Sequence, residues 1–116
     1  MTDQNEMNLE DPEVNEKLSD LKKSRSAFIG HLTRTVNKIN DLLSANESYK
    51  KIKCLEEQLY MILEKLKAMN DHHISLSFDP EDIARSNDIF FDQHERVINI
   101  SETIESYVMK KQSIKP

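Results

Sequence analysis

Two adjacent histidines are the first residues in this sequence that could do chemistry. His72 and His73 lie close to Asp71 and Asp79, and imidazole with carboxylate is a combination that binds transition metals or transfers protons. Neighbouring residues on a helix project about 100° apart, so the two rings cannot share one metal ion. The chain has neither a His-x-x-x-His pair nor spaced cysteines. We therefore predict an exposed helix end and no metal site.

The remaining candidates for catalysis are one thiol and a group of carboxylates. Cys54 is the single cysteine, and no His or Asn pattern marks it as a nucleophile. Asp88, Asp92 and Glu95 could share one helix face, but acid–base work requires a pocket that separates their pKa values. We expect these acids to be solvated or to pair with a basic helix. The sequence thus predicts no enzyme, no cofactor and no small-molecule substrate.

Positive charge is concentrated in the first half of the chain. Residues 17–53 hold nine Lys/Arg against three acids, whereas the rest holds seven against 18. Clustered bases can neutralise phosphates, and a basic contact face for nucleic acid would comprise Lys22, Lys23, Arg25 and Arg34. No aromatic residues interleave with these bases for stacking, and the net charge is −5. We favour surface charge that pairs with the acidic third helix, and keep nucleic acid as an alternative.

The elements that must carry these residues are long helices, because one Gly and three Pro leave little material for turns. Residues 1–10 are polar and acidic, which predicts a disordered tail. Asp11 and Pro12 suit the cap and first turn of a helix at about 12–45. Gly30 lies inside this helix, either to allow close helix packing or, as we favour, simply tolerated. The polar segment 44–48 predicts a break.

The second and third helices show the clearest periodicity. Apolar residues spaced 3-4-3-4-3 from Ile52 to Met69 indicate a coiled-coil-like helix at about 47–72. Alternating residues 74–78 predict an extended connector that packs Leu76 and Phe78. Asp79 and Pro80 then predict a helix at about 80–110, followed by a tail at 113–116. The predicted fold is all-α, with a long antiparallel hairpin and a third helix forming one three-helix bundle over residues 11–112.

The apolar residues exceed what three helices can easily bury. We assign to an interaction seam the residues Leu55, Leu59, Ile62, Leu66, Met69, Phe90, Val97 and Ile104. A second set lies outside the main rows: Tyr60, Met61, Leu63, Phe91, Ile98 and Met109. This surplus predicts an exposed strip that binds a partner protein. The function expected from the residues is therefore protein–protein interaction or self-association.

Three segments resemble a known family. LKKSRSAFIGHLTR at 21–34, FDQHERV at 91–97 and IESYV at 104–108 are similar to the N-terminal Gag-like helical region of BEL/Pao LTR retrotransposons. The resemblance covers about residues 18–110 and implies this region, or a host protein derived from it. It implies helical self-association or partner binding during particle assembly.

The alternative is a coiled-coil subunit of a hetero-oligomeric host complex, in which another helical chain covers the seam. No apolar run approaches the roughly 20 residues that cross a bilayer, so we expect no membrane contact. One cysteine and the lack of a recognisable signal peptide predict an intracellular location, either cytoplasmic or nuclear.

Overall fold

Three helices and two short connectors make up the part of the chain that the structure describes. The structure is a computed structural model and describes residues 12–114. The helices are α1 (Pro12–Ser44), α2 (Tyr49–Leu76) and α3 (Pro80–Ile114), and no strand occurs in this range. Helix α2 packs extensively against both neighbours, whereas α1 and α3 meet over a smaller area. The predicted all-α three-helix bundle is confirmed.

Some predicted features lie outside the described residues: the 1–10 tail, the Asp11 cap and residues 115–116. The remainder of the predicted C-terminal tail, residues 113–114, belongs to α3.

The connector between α1 and α2 closes α1 with a Schellman motif. Asn46 adopts a left-handed conformation with φ 56°. Its N–H donates to the Leu43 carbonyl at 3.2 Å, and the Glu47 N–H donates to the Leu42 carbonyl at 3.0 Å. These two bonds satisfy carbonyls that the helix leaves unpaired at its end. The predicted break at 44–48 is therefore a specific turn, with asparagine in the position that glycine usually occupies.

The apolar core is formed by residues at the helical spacing that the sequence predicted. All three helices contribute side chains that are buried, and those of α2 belong to the 3-4-3-4-3 pattern. Nine residues form this core: Leu32, Ile39, Ile52, Leu59, Ile62, Leu66, Val97, Ile100 and Ile104. Fully burying one such side chain contributes about 1.5–3 kcal/mol relative to leaving it exposed. The core therefore holds the three helices together without a partner chain.

The C-terminal part of α3 is tied to the first connector. The Tyr107 hydroxyl donates to the Glu47 carbonyl oxygen at 2.6 Å, and Lys111 Nζ donates to the same oxygen at 3.2 Å. The Lys111 ammonium also lies 4.9 Å from the centre of the Tyr107 ring. These contacts hold the last turns of α3 against the bundle. The helix consequently continues to Ile114, beyond the end predicted near residue 110.

The second connector is shorter than predicted. Helix α2 continues to Leu76, and the Ser77 N–H still donates to the His73 carbonyl at 3.0 Å. An extended segment over 74–78 is therefore wrong, and Phe78 is exposed rather than packed. Asp79 caps α3 as predicted, because its Oδ1 accepts the Glu81 N–H at 3.0 Å. Pro80 is the first residue of α3, also as predicted.

Asn46 provides a test of the first connector. Both Asn46→Ala and Asn46→Gly remove the side-chain amide, but only alanine brings a Cβ into a left-handed conformation. We expect the alanine variant to be less stable than the glycine variant by about 1–2 kcal/mol. Urea denaturation of both variants measures the difference, and equal free energies of unfolding would contradict the role assigned to this turn.

Gly30 provides a test of α1. A Cβ built at this position meets only the end of the flexible Arg34 side chain, at 3.4 Å. No neighbouring helix requires a glycine here, which agrees with simple tolerance rather than close helix packing. We expect Gly30→Ala to raise the free energy of unfolding by about 1 kcal/mol, the difference in helix propensity. A fall in the thermal midpoint would instead indicate a constraint on this position.

Candidate interaction surface

The predicted interaction seam lies inside the bundle. Five of its eight residues are buried: Leu59, Ile62, Leu66, Val97 and Ile104. The other three, Leu55, Met69 and Phe90, are half-buried, and Leu55 and Phe90 pack against the core. The seam thus joins helices of one chain, and most of it cannot contact a partner while the chain is folded. A 3-4 spacing identifies the stripe that is covered, but it does not identify what covers it.

The exposed apolar surface is formed by the second set of residues. On α3, Phe91 is 61% exposed, Ile98 43% and Met109 61%. Spacings of seven and eleven residues place these three on one side of the helix, and we call them the outer stripe. On α2, Tyr60 and Met61 are exposed as well, whereas Leu63 is half-buried and packs against the core. Five of the six predicted residues are therefore exposed, three of them on α3.

A shallow groove between α2 and α3 extends the outer stripe. The Tyr60 hydroxyl and Ser101 Oγ share a hydrogen bond of 2.8 Å across it. Tyr49, Tyr60 and Met109 are among the residues that line the groove, whose volume is about 290 Å³. Ile98 lies three residues before Ser101, which places it about one turn along the same side of α3. The apolar surface thus spans two helices.

Three charged residues line this groove: Lys53 and Glu56 from α2, and Glu105 from α3. Glu56 is buried and accepts a hydrogen bond from Lys53 Nζ at 3.2 Å. This hydrogen bond, together with the negative charge of Glu56, raises the pKa of the exposed Lys53 ammonium. Because the pair satisfies its own charges, it does not offer a free carboxylate to a ligand.

A buried polar network crosses all three helices. Arg25 Nη1 of α1 donates to Ser86 Oγ of α3 at 3.4 Å. Ser86 Oγ donates to Asn70 Oδ1 of α2 at 2.5 Å, and Asn70 Nδ2 donates to Asn87 Oδ1 at 2.9 Å. Ser86 is 2% exposed and Asn70 is 8% exposed. Arg25, assigned from sequence to a basic contact face, therefore points into the bundle.

The other three residues of the predicted basic contact face also lie on different sides of α1. Lys22 Nζ lies 3.5 Å from Asp82 Oδ1 on α3, so it faces the neighbouring helix. Lys23 and Arg34 are exposed, and their spacing of eleven residues places them on the outer side of α1. Lys22, Lys23, Arg25 and Arg34 consequently do not form one surface, although the Lys22 side chain is still 50% exposed.

The acidic residues of α3 remain exposed. Asp88, Asp92 and Glu95 all face solvent. Within residues 12–114, the ion pair that joins α1 to α3 is Lys22–Asp82, and none involves these three acids. Of the two arrangements expected, a solvated face agrees with the structure and pairing with the basic first helix does not.

His73 departs most from its predicted environment. His72 is exposed as expected, but His73 is only 1% exposed, because α2 continues past it and α3 packs against it. Its Nε2 donates to Asp82 Oδ2 at 2.7 Å, and Ser77 Oγ donates to the same oxygen at 3.0 Å. The sequence signal that was missed is Asp82, in the first turn of the following helix. A carboxylate at that position can reach back to the end of α2.

This cluster lacks the geometry of a catalytic triad. A triad requires the serine to donate to the histidine, whereas Ser77 donates to the carboxylate. His73 Nδ1 is buried without a hydrogen-bond partner, so it is not exposed to a substrate. No group of three His, Cys, Asp or Glu side chains suited to a metal ion occurs in the described range. Cys54 is an exposed free thiol.

Burial, hydrogen bonds and neighbouring charges in this cluster all act on the pKa of Asp82. Burial alone would raise the pKa of the carboxyl group. Hydrogen bonds from His73 and Ser77, followed by the charges of His73 and Lys22, outweigh burial, and the pKa is lowered from its ordinary value of 3.8. A carboxyl group whose pKa is lower in the folded state than in the unfolded state stabilises the fold at pH values above its unfolded-state pKa. That contribution is lost as the pH falls through the folded pKa.

We therefore expect Asp82→Asn to destabilise the bundle at pH 6, with a difference from the wild type that shrinks below about pH 4. Urea denaturation across this pH range measures the effect. Asp88→Asn removes an exposed carboxylate and serves as the control, which should retain the stability of the wild type. A difference at Asp82 that did not change with pH would contradict a charge-dependent role.

Comparison with known proteins adds no relative. No protein-family model, curated protein or solved structure matches the chain. None of the helices within residues 12–114 has an apolar stretch long enough to cross a membrane. The function must accordingly be inferred from the surfaces of this chain, of which the outer stripe is the most distinctive.

Proposed function

We propose that this chain is a non-catalytic helical module that binds other protein chains, and in the first place a second copy of itself, through the outer stripe. The observation that carries the proposal is the exposure of Phe91, Ile98 and Met109 on one side of α3. A different side of the same helix already supplies Val97 and Ile104 to the core. Exposed apolar residues that lie together in this way favour association, because their burial releases water.

The size of the effect is compatible with a reversible contact. Each large apolar side chain contributes about 1.5–3 kcal/mol when it is fully buried, and association must offset at least several kcal/mol of lost motional freedom. Three or four such residues suffice only if polar contacts surround them. The module is therefore expected to associate in a manner that depends on concentration.

The resemblance to the Gag-like region of BEL/Pao retrotransposons suggests where such association would be used. In that setting the module would contribute to the assembly of a particle from many identical chains. The competing proposal is a subunit of a hetero-oligomeric complex, in which a different helical chain occupies the outer stripe. A nucleic-acid module is the less favoured alternative, because within the predicted basic contact face Lys22 pairs with Asp82 and Arg25 points into the bundle.

Light scattering on the full chain over a range of concentrations tests this proposal. We expect a mass above the 13.6 kDa of one chain at high concentration. Phe91→Ser combined with Ile98→Ser should restore the monomer while leaving the thermal midpoint nearly unchanged, since both side chains are exposed.

Met61→Ser is the matched control for this experiment. Met61 is 63% exposed, much like Phe91. It lies one residue beyond Tyr60, about 100° around α2 and outside the groove. This variant should associate like the wild type. A wild type that stays monomeric at every concentration would count against self-association and would favour a different protein partner.

A further inference from the structure

The middle of the outer side of α1 is a basic surface. From Leu21 to Asn40 the sequence contains no Asp or Glu. Lys23, Arg34 and Lys38 are all exposed. Spacings of eleven and four residues bring these three to one side of the helix, and we call them the basic row. At 1.5 Å per residue, the basic row spans about 22 Å.

The outer side of α3 has the opposite charge. Asp88, Glu95 and Glu102 are exposed and lie seven residues apart, so they form an acidic row. The acidic row spans about 21 Å, nearly the length of the basic row. Arg96 is the only Lys or Arg between residues 86 and 109, and it is half-buried, donating to Gln93 Oε1 at 2.9 Å. Arg85 lies one turn before Asp88 but pairs with Asp82 at 3.8 Å, so no Lys or Arg of the described range is paired with the acidic row.

The two rows do not meet within one chain. No ion pair in the described range involves the acidic row. The ion pair between α1 and α3 is formed by Lys22 and Asp82, which belong to neither row. Two complementary surfaces thus remain unpaired, one on the outer side of α1 and one on the outer side of α3. A second copy of the chain is the partner whose charges match both of them.

The apolar surfaces of the two helices also fit this arrangement. Phe91 and Ile98 each lie three residues beyond an acid of the acidic row, so the outer stripe runs beside it. On α1, Ala27 and Gly30 lie between Lys23 and Arg34. Around Gly30 only the end of Arg34 approaches the position of a Cβ. The small side chains leave room for the larger ones that α3 presents.

We propose that α3 of one copy docks on α1 of a second copy, with the acidic row against the basic row and Phe91 and Ile98 over Ala27 and Gly30. This inference rests on the proposed function and names the surface that receives the outer stripe. Because the contact joins two different surfaces, a pair of copies keeps one unused α1, on the first copy, and one unused α3, on the second. The association is heterologous, so it produces open chains of copies, or a ring if the rotation closes.

Two complementary variants test the proposal. In the first, Lys23→Glu with Arg34→Glu blocks α1 and leaves α3 intact. In the second, Phe91→Ser with Ile98→Ser blocks α3 and leaves α1 intact. Each variant alone should remain at 13.6 kDa, whereas an equimolar mixture should form a species of twice that mass that grows no further. Formation of this heterodimer also shows that both variants are folded.

The control variant carries the same charge change elsewhere. Lys50→Glu with Lys67→Glu replaces two exposed bases of α2 and should associate like the wild type. If the α1-blocked variant still forms a dimer alone and mixing adds nothing, the contact is between two α3 helices. That result would overturn the inference while leaving self-association intact. A wild type that never associates would overturn both proposals.

Discussion

The buried and part-buried hydrogen bonds that run from Arg25 through Ser86 and Asn70 to Asn87 favour one alignment of the three helices. Apolar seams that repeat every seven residues can slide past one another by one repeat at little cost in buried area. A buried amide or hydroxyl group without a partner costs about 1–3 kcal/mol, so the alignment that pairs all of them is favoured over its neighbours. Polar residues in coiled coils select one alignment in the same way.

Both ends of the bundle depend on that alignment. At one end, His73 reaches Asp82 only because the C-terminus of α2 and the first turn of α3 lie side by side. At the other end, Tyr107 and Lys111 reach the carbonyl of Glu47 in the first connector. The apolar core between these ends supplies most of the driving force. The polar contacts supply the specificity.

The same arrangement determines which surfaces remain for other molecules. Because the coiled-coil-like seam of α2 is covered by α1 and α3, the residues with the clearest heptad pattern are unavailable in the folded chain. What remains exposed is the apolar outer stripe of α3 with its acidic row, and the basic row of α1. Association through these surfaces involves no unfolding and can therefore be reversible.

The sequence by itself determined the features that rest on local interactions. The Asp79–Pro80 start, the break after Ser44 and the core positions of α2 follow from capping chemistry and helical period. Burial of His73, the inward orientation of Arg25 and the last turn of α2 were decided only by the tertiary structure. Each of these depends on a partner from another helix, namely Asp82, Ser86 and the packing of α3. The spacing of apolar residues shows which side of a helix is buried. Only the arrangement of all three helices shows which residues bury it.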